Sequence, residues 1–106
     1  MIDSKPDSHD DLMARVDGFR SGSVSATERV EGFLETIARV DPTINAFHDT
    51  LAEEAMETAG ELDEARRSGD HLGPLAGSVI AIKDNICTLA GRTTCSSRML
   101  AECRSP

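Results

Sequence analysis

The sequence predicts an α/β fold of which it carries the N-terminal helices and a first core strand. Two observations point there. Apolar residues recur at helical spacing in three successive segments. Then Ser78-Val79-Ile80-Ala81-Ile82 forms a short β-branched run without polar alternation, the pattern of a strand covered on both faces and hence of a mostly parallel sheet between helices. A third observation limits the fold. Residues 83–106 hold no second strong strand, and a strand buried on both sides needs neighbours at both edges. The expectation is a single α/β unit whose sheet is incomplete in this chain.

Residues 1–9 are polar, include Pro6 and have no face to bury, so a flexible leader is expected, with one domain over 10–106. A first helix over about 10–21 follows from Leu12, Met13, Val16 and Phe19, with Ser8 and Asp11 resembling a capping box and Gly22 as its stop. Ser25-Ala26-Thr27-Glu28 signals a second start, because a hydroxyl can accept a first-turn N–H while the carboxylate reaches back. Val30, Phe33, Leu34, Ile37 and Val40 then form an apolar stripe, and Pro42 sets the expected end of this helix near residue 40. Between Thr43 and His48, the residues Ile44, Ala46 and Phe47 fit a short extended piece or an anchored loop equally well. Thr50-Leu51-Ala52-Glu53 repeats the start signal for a third helix over about 50–68. Its apolar face is Leu51, Ala55, Ala59 and Leu62, with Met56 and Ala65 beside it. Acidic residues cover the other face, Arg66 and Arg67 sit in the last turn, and Gly69 is the stop. The strand is expected over about 78–83. No long unit repeats among the helices.

Composition narrows the function classes. Eleven Lys and Arg against nineteen Asp and Glu leave a net charge of −8, which disfavours direct binding of nucleic acid or anionic lipid. The uncharged stretch from Leu72 to Ile82 is too short and too rich in Gly, Pro and Ser to span a bilayer, and the N-terminus lacks signal- and transit-peptide character. A cytoplasmic location is expected. Cys87, Cys95 and Cys103 are odd in number and evenly spaced, unlike a disulfide framework or the close pairs of a zinc site. Reduced thiols and no bound metal are expected.

Chemistry concentrates at Lys83, which follows the apolar run in Ile80-Ala81-Ile82-Lys83-Asp84-Asn85-Ile86. Functional groups of open α/β sheets gather beyond the carboxyl ends of strands, where a lysine partly withdrawn from water can act as a base. The plainer alternative is a polar residue at which a strand emerges into solvent. Asp84 and Asn85 fit a turn or the orientation of Lys83. His9, His48 and His71 lie far apart, without partners at ligand spacing. Thr93, Thr94, Ser96 and Ser97 form a hydroxyl cluster that reads more simply as helix capping before Met99-Leu100 than as a nucleophile.

Three stretches carry a resemblance. Gly73-Pro74-Leu75-Ala76-Gly77, then Ala81-Ile82-Lys83-Asp84-Asn85-Ile86-Cys87, then Arg92-Thr93-Thr94-Cys95-Ser96-Ser97-Arg98-Met99-Leu100 closely resemble the N-terminal part of amidase signature enzymes. Val40-Asp41-Pro42, Asn45-Ala46-Phe47 and the acidic helix ending in Arg66-Arg67 match as well. The similarity runs from about Asp10 to Leu100. Within the family it is greatest to the A subunits of glutamyl-tRNA(Gln)/aspartyl-tRNA(Asn) amidotransferases. The resemblance implies the family's mixed-sheet α/β fold and a Ser–Ser–Lys triad. There the lysine serves as general base, passing a proton through a bridging serine to a serine that attacks a carboxamide. Lys83 occupies the lysine position, and for that role its amine must rest uncharged. The resemblance further implies glutamine as substrate, release of ammonia, and B and C subunits as partners. No cofactor is expected in this chain, ATP and Mg being used by the partner subunit when it amidates misacylated tRNA.

The pattern also departs from the family. Both triad serines belong to a downstream Gly/Ser-rich segment, and no such run occurs here. Gly77-Ser78-Val79 replaces the usual Gly-Ile-Pro before the strand, and Glu102-Cys103-Arg104-Ser105-Pro106 no longer follows the family, as in a truncated reading frame. The expectation is an N-terminal amidotransferase fragment without activity alone. The alternatives are a fragment of a general small-amide amidase and a non-catalytic helical module that docks on a partner.

Overall fold

A computed structural model describes residues 12–104. The expected leader and the Ser8–Asp11 capping pattern lie outside the described residues. Three helices dominate: α1 (Leu12–Ser21), α2 (Ala26–Ile44) and α3 (Ala52–Ser68). Val16 and Phe19 are the buried residues of α1. The helix closes at Gly22, whose φ of 84° lets its N–H reach Phe19 O at 3.1 Å while Ser23 N–H reaches Gly18 O at 3.0 Å.

The start of α2 is held from two directions. Ser25 and Glu28 form the capping box, with Glu28 N–H donating to Ser25 Oγ at 3.0 Å and Ser25 N–H to Glu28 Oε2 at 3.2 Å. The remaining first-turn donors go to a residue of α3. Ala26 N–H reaches Asp63 Oδ1 at 2.8 Å, and Thr27 donates through N–H at 3.1 Å and through its hydroxyl at 2.7 Å to Asp63 Oδ2. A buried carboxylate thus ties the two helices together at a positive helix end.

Two helix boundaries differ from expectation. α2 continues through Pro42 to Ile44 rather than ending near residue 40. Proline costs the last turn a hydrogen bond, but the turn closes beyond it: Asn45 takes a left-handed conformation and donates to Asp41 O at 2.6 Å, and the Asp41 carboxylate accepts from Ala46 N–H at 2.7 Å. Ile44 is therefore helical, not extended. At α3 the cap residue is Leu51, without a side-chain bond, so Thr50 stands one position too early to cap. Glu53 and Glu54 in the first turn, Arg66 and Arg67 in the last, and left-handed Gly69 complete the helix as its charges suggested.

Phe19, Ala26, Val30, Ala59 and Ala76 form the core, with Leu34, Ala55, Met56, Leu62 and Leu72 packed against them. Arginines staple its rim. Arg66 lies 4.9 Å above the Phe19 ring and donates to Phe19 O at 2.8 Å, while Arg29 bridges Arg15 O at 2.6 Å and Gly77 O at 2.8 Å.

The strand expected over 78–83 is not formed. Among the described residues the sheet pairing is a lone antiparallel bridge between Arg92 and Arg104. A strand exists through hydrogen bonds to a neighbour, and no described segment supplies one. Val79, Ile80 and Ile82 are consequently 39%, 68% and 53% exposed. The run lies along the helices instead, where Val79 and Ile80 share a cleft with Val30, Ala55 and Leu62. Residues 84–104 continue as turns, with a 3-10 turn at Arg98–Leu100. No helix among the described residues is long and apolar enough to cross a membrane.

Candidate functional site

Lys83 stands at the end of the apolar run, on the wall of a cleft of about 460 Å³ shared with Phe47, Leu51, Ile82, Ile86 and Arg92. It is exposed, as in the plainer of the two readings, a polar residue at which the run emerges into solvent; among the described residues no sheet lies over the run. Among the described residues it forms no ion pair. Its carbonyl accepts from Ile86 N–H at 3.0 Å, closing the Lys83–Ile86 turn in which Asp84 and Asn85 are the central residues.

Asp84 organises the surroundings. Its Oδ1 accepts from Thr94 N–H at 3.1 Å, its Oδ2 from the Thr94 hydroxyl and from Ser96 N–H at 3.3 Å, and its carbonyl from Cys95 N–H at 3.2 Å. The Thr94 hydroxyl, followed by the Thr94 N–H, holds the Asp84 carboxyl below the usual carboxylate range. Partial burial opposes this, and Ser96 N–H and His48 add to it. Thr93 and Thr94 are buried, whereas Cys95 and Ser96 adopt positive φ of 49° and 57° to complete the turn around the carboxylate.

The loop after α2 reaches the same region. His48 Nε2 lies 3.1 Å from Ser96 Oγ and 3.7 Å from Asp84 Oδ2. Next to it, Asp49 accepts a bidentate pair from Arg92, Nε at 3.0 Å and Nη2 at 2.8 Å, and Arg92 Nη1 donates to Ala101 O at 2.8 Å. The Arg92 hydrogen bond holds Asp49 below its ordinary value, and the same bond keeps Arg92 more firmly protonated.

Of the sequence candidates, Lys83, Asp84, His48, Thr94 and Ser96 are thus neighbours. Ser97 caps the 3-10 turn through Met99 N–H, in line with the capping reading. His71 is exposed away from this group, beside Arg20 and Pro74, and His9 lies outside the described residues. Cys87, Cys95 and Cys103 are free and exposed, and no group of ligand residues capable of holding a metal occurs among the described residues. Sequence reasoning missed the Asp49–Arg92 clasp and the union of His48 with Asp84. These pairs are separated by 43 and 36 positions, and no periodic pattern links them. The nearer Asp84–Thr94 pairing left a faint signal, an acid followed ten residues on by a hydroxyl with another beside it.

The lysine-bearing turn lies in a segment shared with known proteins. The family model described as Amidase matches residues 28–106. Among curated proteins, the chain is 49% identical over 83 residues to the A subunit of glutamyl-tRNA(Gln) amidotransferase from Synechococcus sp. (strain CC9605), covering 78% of this chain and 17% of that protein. It is 56% identical over 79 residues to the protein of the same name from Prochlorococcus marinus (strain MIT 9303), covering 74% and 16%. Against that of Symbiobacterium thermophilum it is 48% identical over 89 residues, covering 83% and 18%. The chain therefore spans less than a fifth of the length of these relatives. No solved structure matches.

Proposed function

The chain belongs to the amidase family, and from that premise we propose that it is the lysine-bearing N-terminal portion of a glutamine-hydrolysing amidotransferase A subunit. In the assembled enzyme Lys83 acts as the base. Its uncharged amine takes a proton through a bridging serine from the serine that attacks the carboxamide carbon of glutamine, and ammonia leaves for amidation of misacylated Glu-tRNA(Gln) or Asp-tRNA(Asn). Both serines, the sheet on which residues 78–83 become a paired strand, and the B and C subunits lie outside these 106 residues. ATP and Mg serve the partner subunit that activates the tRNA-borne carboxylate. The net charge of −8 suits a chain that leaves tRNA binding to a partner.

The observation that carries this reading is the location of Lys83. It lies within the matched residues and on the wall of a cleft, free of a carboxylate partner among the described residues. No Gly/Ser-rich nucleophile segment occurs among these 106 residues, so the expected outcome is that they hydrolyse no amide by themselves. The test is ammonia release from glutamine by the purified chain, alone and mixed with a polypeptide carrying the remaining length of a relative's A subunit. Activity is expected only in the mixture and is lost with Lys83→Ala. Hydrolysis by the chain alone, or a mixture indifferent to Lys83→Ala, would refute the assignment.

A further inference from the structure

An amine that must rest uncharged has an awkward neighbour in Asp84. A carboxylate free to swing towards Lys83 would favour the protonated ammonium, since an opposite charge a few ångströms away stabilises the charged form of both groups. The structure shows the carboxylate engaged elsewhere. Oδ1 takes Thr94 N–H, Oδ2 takes the Thr94 hydroxyl and Ser96 N–H, and His48 Nε2 stands 3.7 Å from Oδ2. The backbone is pinned with it, through Cys95 N–H on Asp84 O and Ile86 N–H on Lys83 O. Thr94 is buried, so the anchor is part of the packed interior and not a loose surface contact.

We infer that Asp84 is a positioning residue for Lys83, and that Thr94 is the group that holds its carboxylate away from the amine. Two consequences follow from one arrangement. The turn fixes where the Lys83 backbone leaves the apolar run, and the hydrogen bonds to Thr94 and Ser96 occupy the oxygens that would otherwise pair with the ammonium. The carboxylate also faces titratable and charged groups other than Lys83. His48 faces it, and Asp49 and Arg92 lie beyond, already joined to each other, so that second anion is itself neutralised. The inference rests on the reading of Lys83 as a base, because an ordinary surface lysine would gain nothing from such an arrangement.

The test measures the amine directly in the full chain and needs no enzymatic turnover, so its outcome stands apart from that of the activity assay. An amine-reactive activated ester is applied at one fixed pH, and the labelling rate at Lys83 is read by mass spectrometry for the parent chain, Thr94→Val and Asp84→Asn. Thr94→Val keeps the side-chain shape and removes the hydroxyl from Oδ2 while the Thr94 and Ser96 N–H bonds stay; with that hold weakened the carboxylate can turn towards Lys83, and labelling should slow by about two- to fivefold. Asp84→Asn removes the charge itself and should leave the rate unchanged or raise it. Helical circular dichroism, which reports α1 to α3, verifies that each variant is folded. Should Thr94→Val fail this check, Thr94→Ala, which also lacks the hydroxyl, takes its place with the same slowing expected, and Thr94→Ser, which keeps the hydroxyl, should label at the parent rate. A merely structural role would move the two variants in the same direction. Equal effects, no effect in Thr94→Val, or slower labelling only in Asp84→Asn would overturn the inference.

Discussion

Gly77 shows how one missing side chain can decide a junction. Its φ is 84°, and a Cβ built there would lie 2.4 to 2.7 Å from Cγ, Cβ and Cδ1 of Phe19, the fully buried ring at the centre of the core. Gly77→Ala therefore combines left-handed strain with overpacking and should destabilise by about 2–4 kcal/mol in urea unfolding. Gly60 provides the contrast. It sits inside α3 with nothing within 4 Å of a new Cβ, so Gly60→Ala should stabilise by about 0.5–1 kcal/mol. Asp63 is decisive for the opposite reason, as a polar group with both oxygens in use. Burial pushes its carboxyl up, but the Thr27 hydroxyl, the N–H groups of Ala26 and Thr27, and the charge of Arg66 together hold it below the usual range. Asp63→Ala, which leaves two first-turn N–H groups without their acceptor, should cost about 2–3 kcal/mol near neutral pH. Because the folded-state value is depressed, this contribution is present in full above the unfolded carboxylate value of about 3.9 and is lost as pH falls through the lower folded value. The gap between parent and Asp63→Ala in urea midpoint should accordingly narrow as pH falls below about 4, and a constant gap would rule out the charged cap.

At the scale of elements, legibility follows sequence distance. The start of α2 could be read because Ser25 and Glu28 are three residues apart and satisfy each other's backbone. Ser25→Ala should cost about 1 kcal/mol in urea unfolding, less than the loss of Asp63, since Asp63 still serves the two preceding donors. Its end could not, because Pro42 argues locally for a stop while the closing bonds come from Asn45 and Ala46 after it. The Thr50 signal failed by one position for a related reason: the helix begins where Leu51 packs, beside Gly91 and the cleft, and not where a hydroxyl is available. Residues 78–83 differ in kind. Their pattern marks an apolar segment, but it says nothing of whether a neighbour is present, and pairing is what makes a strand. The candidate site falls between these cases. Lys83 could be singled out by its place after the apolar run, whereas the turn that binds Asp84 and the loop carrying His48 and Asp49 meet only through tertiary structure.

For the whole molecule, the exposed apolar segment and the family relationship bear on each other. Ile80 is 68% exposed and Ile82 53% exposed, and Leu89 and Met99 are almost fully so, an unusual display for 106 residues with a net charge of −8. If residues 78–83 are a strand awaiting its sheet, Ile80 has two values in two contexts. In the chain alone Ile80→Lys removes little packing and should change stability by less than about 0.5 kcal/mol, while lowering the binding of an apolar dye. In the mixture with the remaining length of an A subunit, the same lysine would have to enter a sheet covered on both faces without a partner for its charge, and association should fail. Sedimentation of the mixture and dye fluorescence of the chain alone separate the contexts. A variant that unfolds by itself would mean that Ile80 already belongs to a core, and one that still associates would mean that the segment never becomes a buried strand. The expected pairing, a tolerated substitution in isolation and a lost complex in the mixture, follows only if the segment lies unpaired along the helices in the chain alone and becomes a covered strand when its neighbours are supplied.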